Sequence, residues 1–224
     1  MNVFMVYAHQ DPSSFGSAMH NRALGFFEKR GDTVVVSDLY GAGFQAVAAK
    51  WDFKVSGGVH QNYMLEQKRS SERDNESSFA EDIKQEVDRL RKTDLLVVEF
   101  PLWWSAPPAI MKGWFDKVFA LGVVWDGDHR YGRGLMKGKQ ALVITGAGDP
   151  ESYYQSNGIH RASVTQHLFP LLHSTLAHAG MDIMKPFVAY NLTIASEEER
   201  TGELEKLDAY LQVLGQKPDY LYRQ

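Results

Sequence analysis

The sequence predicts an α/β fold built on a parallel sheet, and three observations lead there. Short apolar runs bounded by turn formers recur five times; stretches of helical periodicity separate them; and no repeat, low-complexity tract or linker divides the 224 residues. Runs apolar at every position read as strands covered on both faces, and parallel strands buried in that way need helical crossovers. The length suits one well-buried domain and is short for two, so residues 1–224 are expected to form a single domain.

Asn2 to Ala8 (NVFMVYA) is the first such run, ending at His9. A loop of turn formers and hydroxyls, Gln10 to Ser17, leads into a helix marked by Met19, Ala23, Phe26 and Phe27, with Gly31 as its stop. Thr33 to Val36 is the second strand. Residues 41–77 are rich in Gly, Ser, Gln and charge and read as a long irregular excursion, the kind that is usually functional or mobile. Phe79, Ile83, Val87 and Leu90 mark one face of the next helix, and Leu95 to Phe100 (LLVVEF) is the third strand, stopped by Pro101.

Pro107-Pro108 opens a helix whose stripe is Ile110, Met111, Trp114, Phe115, Val118 and Phe119. Gln140 to Thr145 is the fourth strand. Val164, Leu168, Leu171, Leu172 and Leu176 carry another helix that Pro170 must kink, and Ile183 to Ala189 is a fifth strand weakened by Pro186. Ser196 and Glu199 fit a capping box before a last helix faced by Leu204, Leu207, Leu211 and Leu214. Five strands in alternation suggest a flavodoxin-like three-layer sandwich, a five-stranded parallel sheet of order 2-1-3-4-5 that binds ligands beyond its strand C-termini.

Composition narrows the function. Hydrophobic residues at 44% and charged residues at 23% argue against a disordered chain, and a net charge of -4 lacks the basic surplus of a nucleic-acid binder. The absence of cysteine excludes disulfides, iron–sulfur clusters and a thiol nucleophile. The eight His include no i,i+4 pair, so no metal site is expected. No stretch reaches the ~20 apolar residues of a membrane span and the N-terminus has no signal pattern, which predicts a cytoplasmic protein. Dinucleotide, P-loop, zincin and nucleophile-elbow motifs are all missing.

Three loops carry the chemistry. His9 to Ser17 places hydroxyls and amides ahead of a helix N-terminus, which either caps the helix or holds a phosphate. Pro101 to Pro108 contains Trp103 and Trp104, which cannot both face the core, so one indole is free for a planar ligand or a subunit interface. Thr145-Gly146-Ala147-Gly148 is small enough for close backbone approach, and the loop after it holds Tyr154 and His160, a Tyr–His pair suited to proton transfer.

The segment from Phe100 to Phe119 (FPLWW…PPAIMKGWFDKVF) resembles the NAD(P)H:quinone oxidoreductases of the DT-diaphorase type, and so do Ala8-His9…Ser14-Phe15, the loop from Thr145 and Gly158-Ile159-His160. The likeness runs from residue 2 to about 211 in one order. It implies a cytoplasmic homodimer with FAD bound (FMN being the alternative), NAD(P)H as co-substrate, and two-electron reduction of a quinone by ping-pong turnover. It also implies that His9, Phe15, Gly16 and Ala18 hold the pyrophosphate and ribityl chain. The ring would then lie on Leu102, Trp103, Trp104 and Ser105, then on Thr145, Gly146, Ala147 and Gly148. Tyr154 and His160 match the proton-relay pair, Arg200 the adenine-side contact, and Trp104, Trp125 and His160 the substrate pocket.

The chain departs from that pattern in places. Gly16 stands where the best-known members have Asn, Ser105 replaces an aromatic, and Gly127 falls where a second pocket Tyr belongs. Residues 41–77 align poorly, with Gln61 as a candidate there. The competing readings are an FMN-dependent azo- or nitroreductase, a one-electron flavodoxin carrier, and a flavin-binding regulatory subunit of a potassium-efflux transporter.

Overall fold

The sheet grows outward from β1 (Asn2–Tyr7), which is buried at every position after Asn2 because both of its faces are covered. A computed structural model describes residues 1–54, 62–72, 78–216 and 218–224. β1 pairs in parallel with β2 (Thr33–Asp38) on one side and β3 (Leu95–Pro101) on the other, and β3 pairs in parallel with β4 (Gln140–Gly146). β2 alternates between exposed and half-buried positions before Ser37, as an edge strand does.

The expected order 2-1-3-4-5 holds, but the sheet has seven strands rather than five. Pro186 divides the fifth strand into β5 (Asp182–Met184) and β6 (Phe187–Ala189), each parallel to β4. Proline has no N–H for the ladder, and the Lys185 N–H is drawn off to the Asp219 carbonyl (2.9 Å). A C-terminal β7 (Tyr220–Tyr222) then adds antiparallel to β5.

Helices cover both faces. α1 (Phe15–Lys29) buries Met19, Ala23 and Phe27 against Val3, Met5, Leu95 and Val97, and α7 (Glu197–Gln216) joins it there through Leu207, Leu211 and Leu214. Gly31, at φ +84°, follows the α1 C-cap, and Ser196 and Glu199 form the expected reciprocal cap at the start of α7. On the opposite face α3 (Glu81–Lys92) and α4 (Ala109–Val118) pack Ile83, Val87, Met111 and Trp114 on Phe4, Leu96 and Val98.

The described part of the excursion is more ordered than its composition suggests. It contains α2 (Tyr63–Ser71), which turns Glu66, Gln67 and Ser70 inward instead of an apolar stripe. Gln67 donates to the Asp116 carbonyl (2.8 Å) and accepts from the Leu121 N–H (3.3 Å). The buried Lys117–Asp52 ion pair (2.9 Å) ties the preceding segment to α4, with the Tyr63 hydroxyl donating to Asp52 (2.7 Å). Gln61 lies outside the described residues.

Pro170 breaks its helix into α5 (Val164–His167), α6 (Phe169–Leu171) and a π-helical turn, Leu172–Ala177. No helix among the described residues is long and apolar enough to cross a membrane. What matters for the site is register: Tyr7 lies opposite Glu99 and Pro101 opposite Gly146, so β1, β3 and β4 end at one level.

Candidate functional site

Beyond that edge the three informative loops meet. Asp11 accepts the Ser13 N–H (2.8 Å) and hydroxyl (2.7 Å), which closes the turn, and Ser14 Oγ accepts the Ser17 N–H (3.1 Å), so Ser14 is the helix cap. The Ala18 N–H is bonded to the Ser14 carbonyl (3.1 Å), which takes Ala18 out of the free donors. The Phe15 and Gly16 amides remain at the N-terminus of α1, where the dipole favours an anion.

The His9 Nδ1 accepts the Asp11 N–H (3.1 Å), which leaves the proton of the neutral ring on Nε2. Burial pushes His9 below the usual histidine range, against the opposing pull of Asp11. A Cβ at Gly16 would stand 2.9 Å from His9 Cδ2, so the ring would have to shift to admit a larger residue.

The tryptophan loop is a tight two-residue turn. Trp103 and Ala106 exchange both backbone hydrogen bonds (3.0 Å each), and Trp104 and Ser105 between them sit at φ +49° and +60°. Neither is glycine, so the turn stores backbone strain of the sort found at functional sites. Trp103 is 42% exposed and Trp104 fully exposed, so both indoles leave the core.

In the fourth-strand loop the structure separates the expected contacts. Thr145 is fully buried with its hydroxyl donating to the Phe100 carbonyl (2.8 Å), and the Ala147 N–H is engaged by the Ala189 carbonyl (2.8 Å). Both face the sheet. Gly146 and Gly148 stay open to the cleft, pressed so closely by the following segment that a Cβ would lie 2.5 Å from Leu192 and 2.6 Å from Thr193.

These parts enclose a cleft of ≈ 370 Å³ whose lining includes His9, Phe15, Gly16, Leu102, Trp103 and both glycines. Sequence reasoning missed its Tyr7, Met19, Glu99, Leu192 and Thr193. Only Glu99 carried a signal, an acid inside an apolar strand run. It is 3% exposed, its Oε2 pairs with His20 Nδ1 (2.5 Å), and Tyr7 stacks on His20 (4.4 Å). Burial disfavours the His20 cation, but the hydrogen bond and charge of Glu99 prevail and hold it above the usual range.

The expected Tyr–His pair is assembled. Tyr154 and His160 stack with centroids 4.3 Å apart and planes at 17°. The His160 N–H bonds the Tyr153 carbonyl (3.0 Å), closing a loop that needs Gly158, where a Cβ would meet Tyr153 O at 2.4 Å. Burial, then the charge of Asp149, pushes the Tyr154 phenol up and keeps it protonated at neutral pH.

Trp104, Ser105, Tyr154 and His160 do not line the cleft, and two further expected positions stand apart from it. Trp125 lines a separate depression of ≈ 440 Å³ with His178 and Phe119, which shares no lining residue with the cleft. Arg200 is exposed on the first turn of α7 and does not line the cleft.

Residues 1–213 match the family described as having a flavodoxin-like fold. The chain belongs to that family. It is 36% identical over 214 residues to human ribosyldihydronicotinamide dehydrogenase [quinone], covering 95% of this chain and 91% of that protein. It is 30% identical to the guinea-pig (Cavia porcellus) NAD(P)H dehydrogenase [quinone] 1, covering 88% and 71%. A solved structure assigned as a quinone reductase of Klebsiella pneumoniae superposes with a TM-score of 0.91 at 31% identity, covering 100% of this chain and 89% of that one. The resemblance read from the Phe100–Phe119 segment is borne out, and the chain is an oxidoreductase of this family.

Proposed function

We propose that this chain is a flavin-dependent NAD(P)H:quinone oxidoreductase, one flavin-binding domain over residues 1–224 that acts as a homodimer. The observation that carries the reading is convergence: the α1 N-terminus, the start of the tryptophan turn and the Gly146–Gly148 loop line one cleft at the carboxyl edge of the sheet.

The residues present fit the cofactor. His9 and the amides of Phe15 and Gly16 suit its phosphate, and the apolar walls of Leu102 and Trp103 suit its ring. A buried acceptor without a hydrogen-bond partner, Glu99 Oε1, lies on a residue of the cleft lining. The chemistry a bound flavin supplies is two-electron transfer between a reduced nicotinamide and a quinone. The chain binds and orients it, and Gly148 with Tyr154 offers donors where negative charge develops, a role worth on the order of 10²-fold in rate per donor. His160, stacked on Tyr154, moves the proton.

FAD rather than FMN is supported by the resemblance at Arg200, which is exposed. The homodimer is supported by the fully exposed Trp104, an indole free for a subunit interface. A cytoplasmic setting, where reduced nicotinamides are kept, goes with this reading. To test it, the cofactor is released from purified protein by heat and identified. Flavin bleaching by NADH and by NADPH is then followed separately, before and after adding a quinone. Colourless protein that takes up neither FMN nor FAD would refute the proposal.

A further inference from the structure

The Tyr154–His160 stack has a third member that the family likeness did not indicate. Asp149 directly follows Gly148 on the cleft rim, and its Oδ2 lies 2.8 Å from His160 Nε2. Its backbone is pinned, because its carbonyl accepts the Asn191 N–H (2.9 Å). His160 is pinned too, by its N–H to the Tyr153 carbonyl and by its ring on Tyr154. The contact therefore joins two anchored groups.

A carboxylate can only accept hydrogen bonds, so the nitrogen facing Asp149 must carry a proton. Nε2–H then points at Asp149 in every protonation state of the ring. The other nitrogen, Nδ1, is left as the working atom: an acceptor when the ring is neutral and a donor when it is charged. Without Asp149 the imidazole would distribute its proton between both nitrogens. The carboxylate is about half exposed, with 48% of its side-chain surface accessible, so its worth lies in direction more than in Coulomb attraction.

We infer that Asp149 is a positioning residue that orients His160 and selects the tautomer leaving Nδ1 to take and give the proton during acceptor reduction. This rests on the flavin-dependent reading above. No bond but N–H or O–H is made or broken by these residues: the proton leaves Nδ1 of the cationic ring for the reduced acceptor, and solvent restores it.

The test compares Asp149→Asn and Asp149→Glu with the wild-type holoenzyme. An asparagine amide can donate to Nε2 or accept from it, so Asp149→Asn removes the preference. Nitrogen-15 NMR of histidine-labelled protein should show His160 protonated on Nε2 in the wild type and shifted toward Nδ1 in Asp149→Asn. General acid–base help is worth about 10²–10⁴-fold. The rate of flavin reoxidation by quinone should fall by about 10-fold, while flavin affinity and the rate of reduction by NAD(P)H stay within about 2-fold. Asp149→Glu should restore the wild-type tautomer and part of the rate.

An unchanged tautomer and reoxidation rate in Asp149→Asn would overturn the inference. So would a uniform loss of flavin affinity and of both half-reactions with a lowered Tm, which would mark a merely structural residue. Wild-type protein that takes up no flavin overturns the proposed function and this inference with it. Normal flavin uptake beside an indifferent Asp149→Asn overturns the inference alone.

Discussion

Replacing His20 by alanine should strand a buried charge at the floor of the cleft. Glu99 is 3% exposed, its Oε1 already has no hydrogen-bond partner, and its Oε2 depends on His20. Removing one member of a buried pair costs about 3–5 kcal/mol, since the other keeps its desolvation penalty without its partner. At roughly 2–4 °C per kcal/mol for a chain of this size, His20→Ala should lower Tm by about 6–20 °C. Glu99→Gln leaves a neutral group that can still bond the ring and should cost about 1 kcal/mol.

The pair also sets a pH signature. With His20 held above its ordinary value, the folded protein binds more protons than the unfolded chain just above pH 6.5. Stability from this group is therefore full below about pH 6.5 and is lost as pH rises through the folded value. In Glu99→Gln the main raising influences are gone and only the charge of Asp38 still opposes burial, the largest of the causes, so the slope should reverse, with stability lost as pH falls below about 6.5. Urea unfolding of both proteins between pH 5.5 and 8 (about the range in which histidine titrates) reads the difference. Parallel curves, or a His20→Ala loss under about 1 kcal/mol, would refute the reasoning.

Lys117→Met should cost about 3 kcal/mol by leaving Asp52 buried without its cation, and adding Asp52→Asn should recover about 2 kcal/mol of it; purely additive losses in denaturant melts would exclude that coupling. Ser105→Gly should raise Tm by about 2–4 °C, because glycine relieves a left-handed φ of +60° worth about 1 kcal/mol, and a lowered Tm would contradict the strain. Gly158→Ala, whose Cβ would collide with the Tyr153 and Ser152 carbonyls, should reopen the His160 loop; quinone-reductase turnover should drop by about 10²-fold, and wild-type turnover would show that the stack is dispensable.

The central strands were legible because burial on both faces demands unbroken apolar runs, and NVFMVY, LLVVEF and QALVIT have no other reading. The helix caps at Ser14 and Ser196 were legible because a hydroxyl three residues ahead of an amide is a local pattern. By contrast α2 was illegible, since it buries polar side chains and Gln67 enters the protein to meet Asp116 and Leu121, far away in sequence. β7 was equally hidden: Tyr220–Tyr222 becomes a strand by finding the edge that β5 leaves open.

The candidate site divides along the same line. The loops that hold His9, Trp103, Gly146 and Gly148 follow from the alternation of strands and helices, because a parallel sheet delivers the loops after its strands to one edge, whereas Phe15 and Gly16 were implied by the family resemblance. Those loops were the sequence's own. Which backbone amides stay free, that Thr145 and Ala147 turn into the sheet, and that Glu99 meets His20 and Asp149 meets His160 depended on the folded chain. Such pairings join residues brought together by packing, and no local periodicity encodes a hydrogen bond between α1 and β3.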